Sequence, residues 1–133
     1  MSGRKNNLKS FNNIVDGDMS GDLTSDVTDI QWLDDVGLQF VWTGSPVGTF
    51  SVQVSADYAQ DLNGNVQNPG HWISLILTYW NGSAFVTSDS IPTSVGSPIY
   101  LDLALLSAPY IRAIYTAESG SGTLTSTITA KMV

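Results

Sequence analysis

Residues 123 to 132 carry the pattern that most limits what this chain can become. Leu124, Ser126, Ile128, Ala130 and Met132 alternate strictly with Thr123, Thr125, Thr127, Thr129 and Lys131. A repeat of two belongs to an extended strand with one face turned inward, because a helix repeats its faces every 3.6 residues. Threonine is also at home on a pleated surface that meets water, so this segment reads as an exposed outer strand. The same alternation recurs upstream. Val36, Leu38, Phe40 and Trp42 oppose Gly37, Gln39, Val41 and Thr43, and after the turn residues Gly44 to Gly48 the run Phe50, Val52, Val54 resumes it. The two runs predict a hairpin.

Trp72 to Trp80 reads as one central strand, with Ile73, Leu75, Leu77 and Tyr79 on one face and Trp72, Ser74, Ile76, Thr78 and Trp80 on the other. Asn81-Gly82 turns it into Ala84 to Thr87, since both residues tolerate the left-handed backbone of a tight hairpin turn. Ile99 to Leu105 and Tyr110 to Ala117 alternate again, Val27 to Leu33 is a short strand, and a single helical turn is placed near Leu103 to Ser107. About eight short strands at regular spacing predict an all-β protein, a single antiparallel β-sandwich of jelly-roll type spanning 27–133. Phe40, Phe50, Val52, Leu75, Leu77, Ile111 and Ile128 are its expected core.

Composition then removes whole classes of function. Cysteine is absent and His71 is the single histidine, which excludes disulfide scaffolds, zinc ribbons and thiol catalysis. A net charge of −7 with five Lys and Arg leaves too little basic charge to grip a phosphate backbone, so nucleic acid is not an expected ligand. No apolar run approaches the roughly 20 residues of a membrane helix, and the start MSGRKNNLKSFNN lacks the apolar stretch of a signal peptide. The expectation is a product of the cytoplasm without a membrane partner.

The charge is also unevenly placed. Residues 1 to 10 hold Arg4, Lys5 and Lys9 with no acid, and residues 11 to 35 hold Asp16, Asp18, Asp22, Asp26, Asp29, Asp34 and Asp35 with no base. Such a polar, sign-switched leader predicts an extended N-terminal arm over 1–26, either a solvated tail or, as preferred, an arm docked on a partner. Arg4, Lys5 and Lys9 would supply charge to that docking, and Phe11, Ile14 and Val15 its apolar anchors.

Candidate chemistry is sparse. Asp16 to Asp22 has oxygen-bearing residues spaced like the start of a calcium loop, but Val27 stands where a bidentate Glu belongs. Asp61-Leu62-Asn63-Gly64-Asn65, with Asp57 upstream, reads as a turn. His71 follows Asn68-Pro69-Gly70 without a nucleophile in view. The expectation is a protein that is not an enzyme and uses no cofactor or metal. Trp72 and Trp80, on one outer face, are candidates for a subunit interface or for stacking on sugar rings.

Several segments carry a family likeness: Gly44 to Ser55, Asn63 to Trp72, Pro109 to Arg112 continuing through Tyr115-Thr116, Ser119 to Leu124, and the closing Ala130-Lys131-Met132-Val133. Together they resemble small β-sandwich virion proteins of tailed bacteriophages. The likeness runs over most of the chain from about Asp16 and rests on turn and strand motifs. It implies a structural protein of the virus particle, of capsid decoration or cement type, with a tail- or fibre-associated protein as the alternative. It further implies the major capsid protein or another virion protein as partner, a homo-oligomer, and a place in the virion. No catalytic residues come with it.

Overall fold

The computed structural model describes residues 7–31, 33, 35–103 and 107–132. In chain order the strands are β1 (Asn7–Asp18), β2 (Leu23–Thr24), β3 (Thr28–Asp29), β4 (Asp35–Gly44), β5 (Val47–Ser55), β6 (Ala59–Gln60) and β7 (Val66–Asn68). They continue as β8 (Ile73–Ser74), β9 (Leu77–Trp80), β10 (Phe85–Ser88), β11 (Ile91–Pro92), β12 (Ile99–Asp102), β13 (Tyr110–Ser119) and β14 (Gly122–Met132), with a 3-10 turn at Thr93–Val95. A front sheet runs β1-β14-β4-β12 and a back sheet β11-β5-β13-β2, with β3 also on β13 and β8 on β5. Two small hairpins, β9–β10 and β6–β7, complete an all-antiparallel sandwich.

The core lies between the two sheets. Phe40 of the front sheet stacks on Phe50 of the back sheet with centroids 4.5 Å apart, and Trp42 and Tyr115 close around Phe50 at 4.9 and 5.2 Å. Leu38, Leu124 and Ile128 from the front and Val52, Ile111 and Ala113 from the back are sealed from solvent, as the alternation in each strand requires. Of the expected core only Leu75 is half-buried; Phe40, Phe50, Val52, Leu77, Ile111 and Ile128 are inside.

Three expectations about pairing change. The runs around Gly44 to Gly48 do not form a hairpin: β4 belongs to the front sheet and β5 to the back, so the turn arches from one layer to the other. Gly120-Ser121 does the same between β13 and β14, and the two arches lie against each other, Ser45 N–H donating to Ser121 O at 3.0 Å. The close approach needs glycine. A Cβ on Gly122 would strike Thr43 O, and Gly44 holds φ +83 beside Ser121 O. The strand read over Trp72 to Trp80 divides into β8 and β9, in different sheets, after Leu75 N–H bonds Val52 O at 2.8 Å.

The last change concerns the leader. β1 pairs with β14 of its own chain from Asn7↔Met132 to Asp18↔Thr123, with irregularities between Asn12 and Ile14 and between Ile14 and Gly17. The segment read as an arm outside the sandwich is thus the edge strand of the front sheet, and β14, read as an outer strand, is internal. The threonine face does point out of the sandwich, half-covered. Immediately after β1, Met19 is completely buried. The boundary expected at residue 26 therefore does not separate arm from sandwich. The helical turn expected near Leu103 to Ser107 falls partly outside the described residues.

Candidate functional site

Gln53 and Arg112 face each other across the β5–β13 ladder. Because Val52 and Ala113 point into the core, both polar side chains emerge on the outer face of the back sheet. There Arg112 Nε–H donates to Gln53 Oε1 at 2.8 Å, and the guanidinium lies over the Trp72 ring, 4.2 Å from its centroid. Trp72 is itself fixed, its indole N–H donating to Pro69 O at 2.9 Å. Tyr58 packs against Trp72 at 5.7 Å and meets Tyr110 edge-on at 5.2 Å. Partial burial holds the Arg112 guanidinium below its usual range.

Beside this cluster, Asp57 and His71 form the ion pair of the loop. Asp57 Oδ1 accepts the His71 backbone N–H at 2.8 Å and the Ser55 hydroxyl at 3.0 Å, while Oδ2 lies 2.6 Å from His71 Nδ1. The hydrogen bonds from the His71 backbone and side chain hold the Asp57 carboxyl down to about 2, and the same carboxylate raises His71. Ser55 turns its hydroxyl toward Asp57 and not toward the imidazole, and it accepts N–H bonds from Asp57 and Tyr58. The group locks a loop and offers no activated nucleophile.

Trp80 goes elsewhere. It is 55% exposed at the end of β9 and meets Phe85 of β10 edge-on at 5.1 Å. Phe85 is 73% exposed and Tyr100 of β12 56%. Between the β9–β10 hairpin and β12 runs a groove of about 210 Å³, lined by Trp80, Tyr100, Tyr79, Gly96 and Pro98. Trp72 and Trp80, expected on one face, thus belong to two separate surfaces, because the strand between them breaks.

Of the residues assigned to the arm, Arg4 and Lys5 lie outside the described residues, and Lys9 occupies the register position opposite Ala130. Phe11 is 39% exposed opposite Ile128, Ile14 packs against the core, and Val15 is 63% exposed. Several of the acids accept backbone N–H groups. Asp18 Oδ1 accepts the Ser20 N–H at 2.9 Å, Asp22 Oδ1 the Ala117 N–H at 2.8 Å, and Asp61 Oδ1 the N–H groups of Asn63 and Asn65, both at 2.9 Å. Backbone hydrogen bonds lower the carboxyls of Asp18 and Asp61. Among the described residues no three His, Asp or Glu side chains converge as a metal site would require.

Arg112 is the functional candidate that sequence reading passes over. Its alternation with Tyr110 and Ile114 places it on a strand face, but its partners come from β5 and the loop before β8. A signal was present nonetheless: between Lys9 and Lys131 it is the one Lys or Arg in the sequence.

No protein-family model matches the sequence, and no curated protein matches it. Among solved structures the fold is similar to the crystal structure of SPBc2 prophage-derived protein YomS, with a TM-score of 0.61 and 10% identity over 98% of this chain and 99% of that one. A looser likeness, at a TM-score of 0.39 and 13% identity, links 98% of this chain to 33% of a chain in the structure of infectious bursal disease virus Gx strain. What this chain shares with YomS is the sandwich from end to end.

Proposed function

We propose that this chain is a non-enzymatic structural protein of a bacteriophage particle, and specifically a capsid decoration protein that binds the shell as an oligomer. The observation that carries the reading is the likeness in fold to a prophage-derived protein over 98% of this chain and 99% of that one. The strand and turn motifs that resemble phage virion proteins point the same way. So do the two outward surfaces rich in Trp, Tyr and Arg, the residue types that dominate protein interfaces. The test is mass spectrometry of gradient-purified particles from cells producing the phage, with heads and tails separated by shearing. The expected outcome is this protein in the head fraction at a fixed ratio to the major capsid protein. Recovery with the tails would replace the decoration role by a tail-associated one, and absence from particles would end the virion reading.

A second reading, a sugar-binding module, is favoured by the groove between Trp80 and Tyr100, where exposed aromatic faces suit pyranose rings. Saturable binding on a glycan array that Trp80→Ala abolishes would favour it.

A further inference from the structure

We propose that the outer face of the back sheet around Arg112 is a protein-docking site that receives a carboxylate side chain of its partner. This chain carries twelve Asp and Glu, yet among the described residues the one ion pair is that of His71 and Asp57, and Arg112 has no acid beside it. Arg112 is only partly covered and keeps its charge, so its outer N–H groups are open to a counter-charge from outside the chain. Trp72 supports one face of the guanidinium plane and Gln53 takes its Nε–H, which fixes the orientation and leaves the terminal Nη groups unbonded among the described residues. Nη groups held in a plane are the fork that grips a carboxylate, and a preset fork loses little freedom on binding.

The surroundings favour a protein over a free acidic sugar. A pyranose needs an open aromatic face, and the Trp72 ring is occupied by the guanidinium on one side and packed against Tyr58. What surrounds the fork is a sheet face carrying Tyr110, Ile114, Ser51 and Ser74. A central Arg and Trp on such a surface is the composition of an interface hot spot. The site does not depend on the particle reading, since any partner that presents an aspartate or glutamate would suit it.

The test is an NMR titration of the full chain, following the side-chain N–H signals of Arg112 Nε and Trp72 Nε1. The probes are the acetylated, amidated tripeptide Ala-Glu-Ala, its Ala-Gln-Ala counterpart, and sodium glucuronate. Saturable shifts of both signals with the glutamyl peptide are expected, with about tenfold weaker binding for the glutaminyl peptide and for Arg112→Gln, as befits a charged hydrogen-bonded pair. Arg112→Lys, which keeps the charge and loses the fork, should also weaken binding, and it decides the matter if Arg112→Gln does not fold. Equal response to both peptides, or shifts that survive in Arg112→Lys and Arg112→Gln alike, would overturn the proposal. Tighter binding of glucuronate than of the glutamyl peptide would overturn it in favour of a sugar site.

Discussion

Asp57 accepts hydrogen bonds from the Ser55 hydroxyl, the His71 backbone and the His71 ring, and each strengthens when the carboxyl is ionised. Its value of about 2, against 3.8 for the free side chain, means that it favours the folded loop above pH 3.8 and ceases to do so as pH falls through about 2. His71 is raised above 6.5, so its contribution is complete below 6.5 and fades as pH rises through the raised value. The pair is therefore firmest between pH 3.8 and 6.5. Asp57→Asn should bring the His71 titration, followed by its ring proton NMR signals, back toward 6.5; an unchanged titration would show that the two side chains do not meet. The sequence could not announce this pairing, because its partners are 14 residues apart, on either side of the small β6–β7 hairpin. The turn at Asp61 was legible for the opposite reason: its bonds to Asn63 and Asn65 are local and are written in the residue types themselves.

Strand faces were legible because burial imposes the alternation directly, whereas strand partners were not, because alternation says nothing about which layer a strand joins. β4 and β5 look like a hairpin and form an arch instead, fixed by the glycines where the two arches cross. Leu75 and Leu77 share a parity yet differ in depth, since the chain changes sheets between them. Leu77→Ala should accordingly cost about 2 to 5 kcal/mol in thermal or denaturant unfolding, and Leu75→Ala distinctly less. Equal losses would mean that the strand is continuous after all. β1 escaped notice because polar Asn13 faces inward while Phe11 and Val15 lie outside, and because its bulges interrupt the period, leaving Phe11 and Ile14 three apart. Removal of residues 1–18 should expose the length of β14 as a new edge and lower stability or solubility, measurable as a drop in melting temperature or as aggregation on size exclusion. A truncated chain that melts like the full one would return this segment to the status of an arm.

At the scale of the whole molecule, β1 and β14 pair along one side of the front sheet, so that Ser10 and Thr129, 119 residues apart, share a hydrogen bond. Consecutive long strands cross between layers, which leaves few local pairings to start from. Refolding from denaturant, followed by tryptophan fluorescence, should therefore proceed in milliseconds to seconds, well behind helical proteins of like size. During synthesis the pairing of β1 with β14 has a further effect. At ordinary ribosomal speeds, β1 emerges on the order of ten seconds before the strand that will cover it. Over that interval the nascent chain carries β1 and one side of β4 without the strand that pairs with both, so its yield in a cell depends on what shields them while the message is still being read.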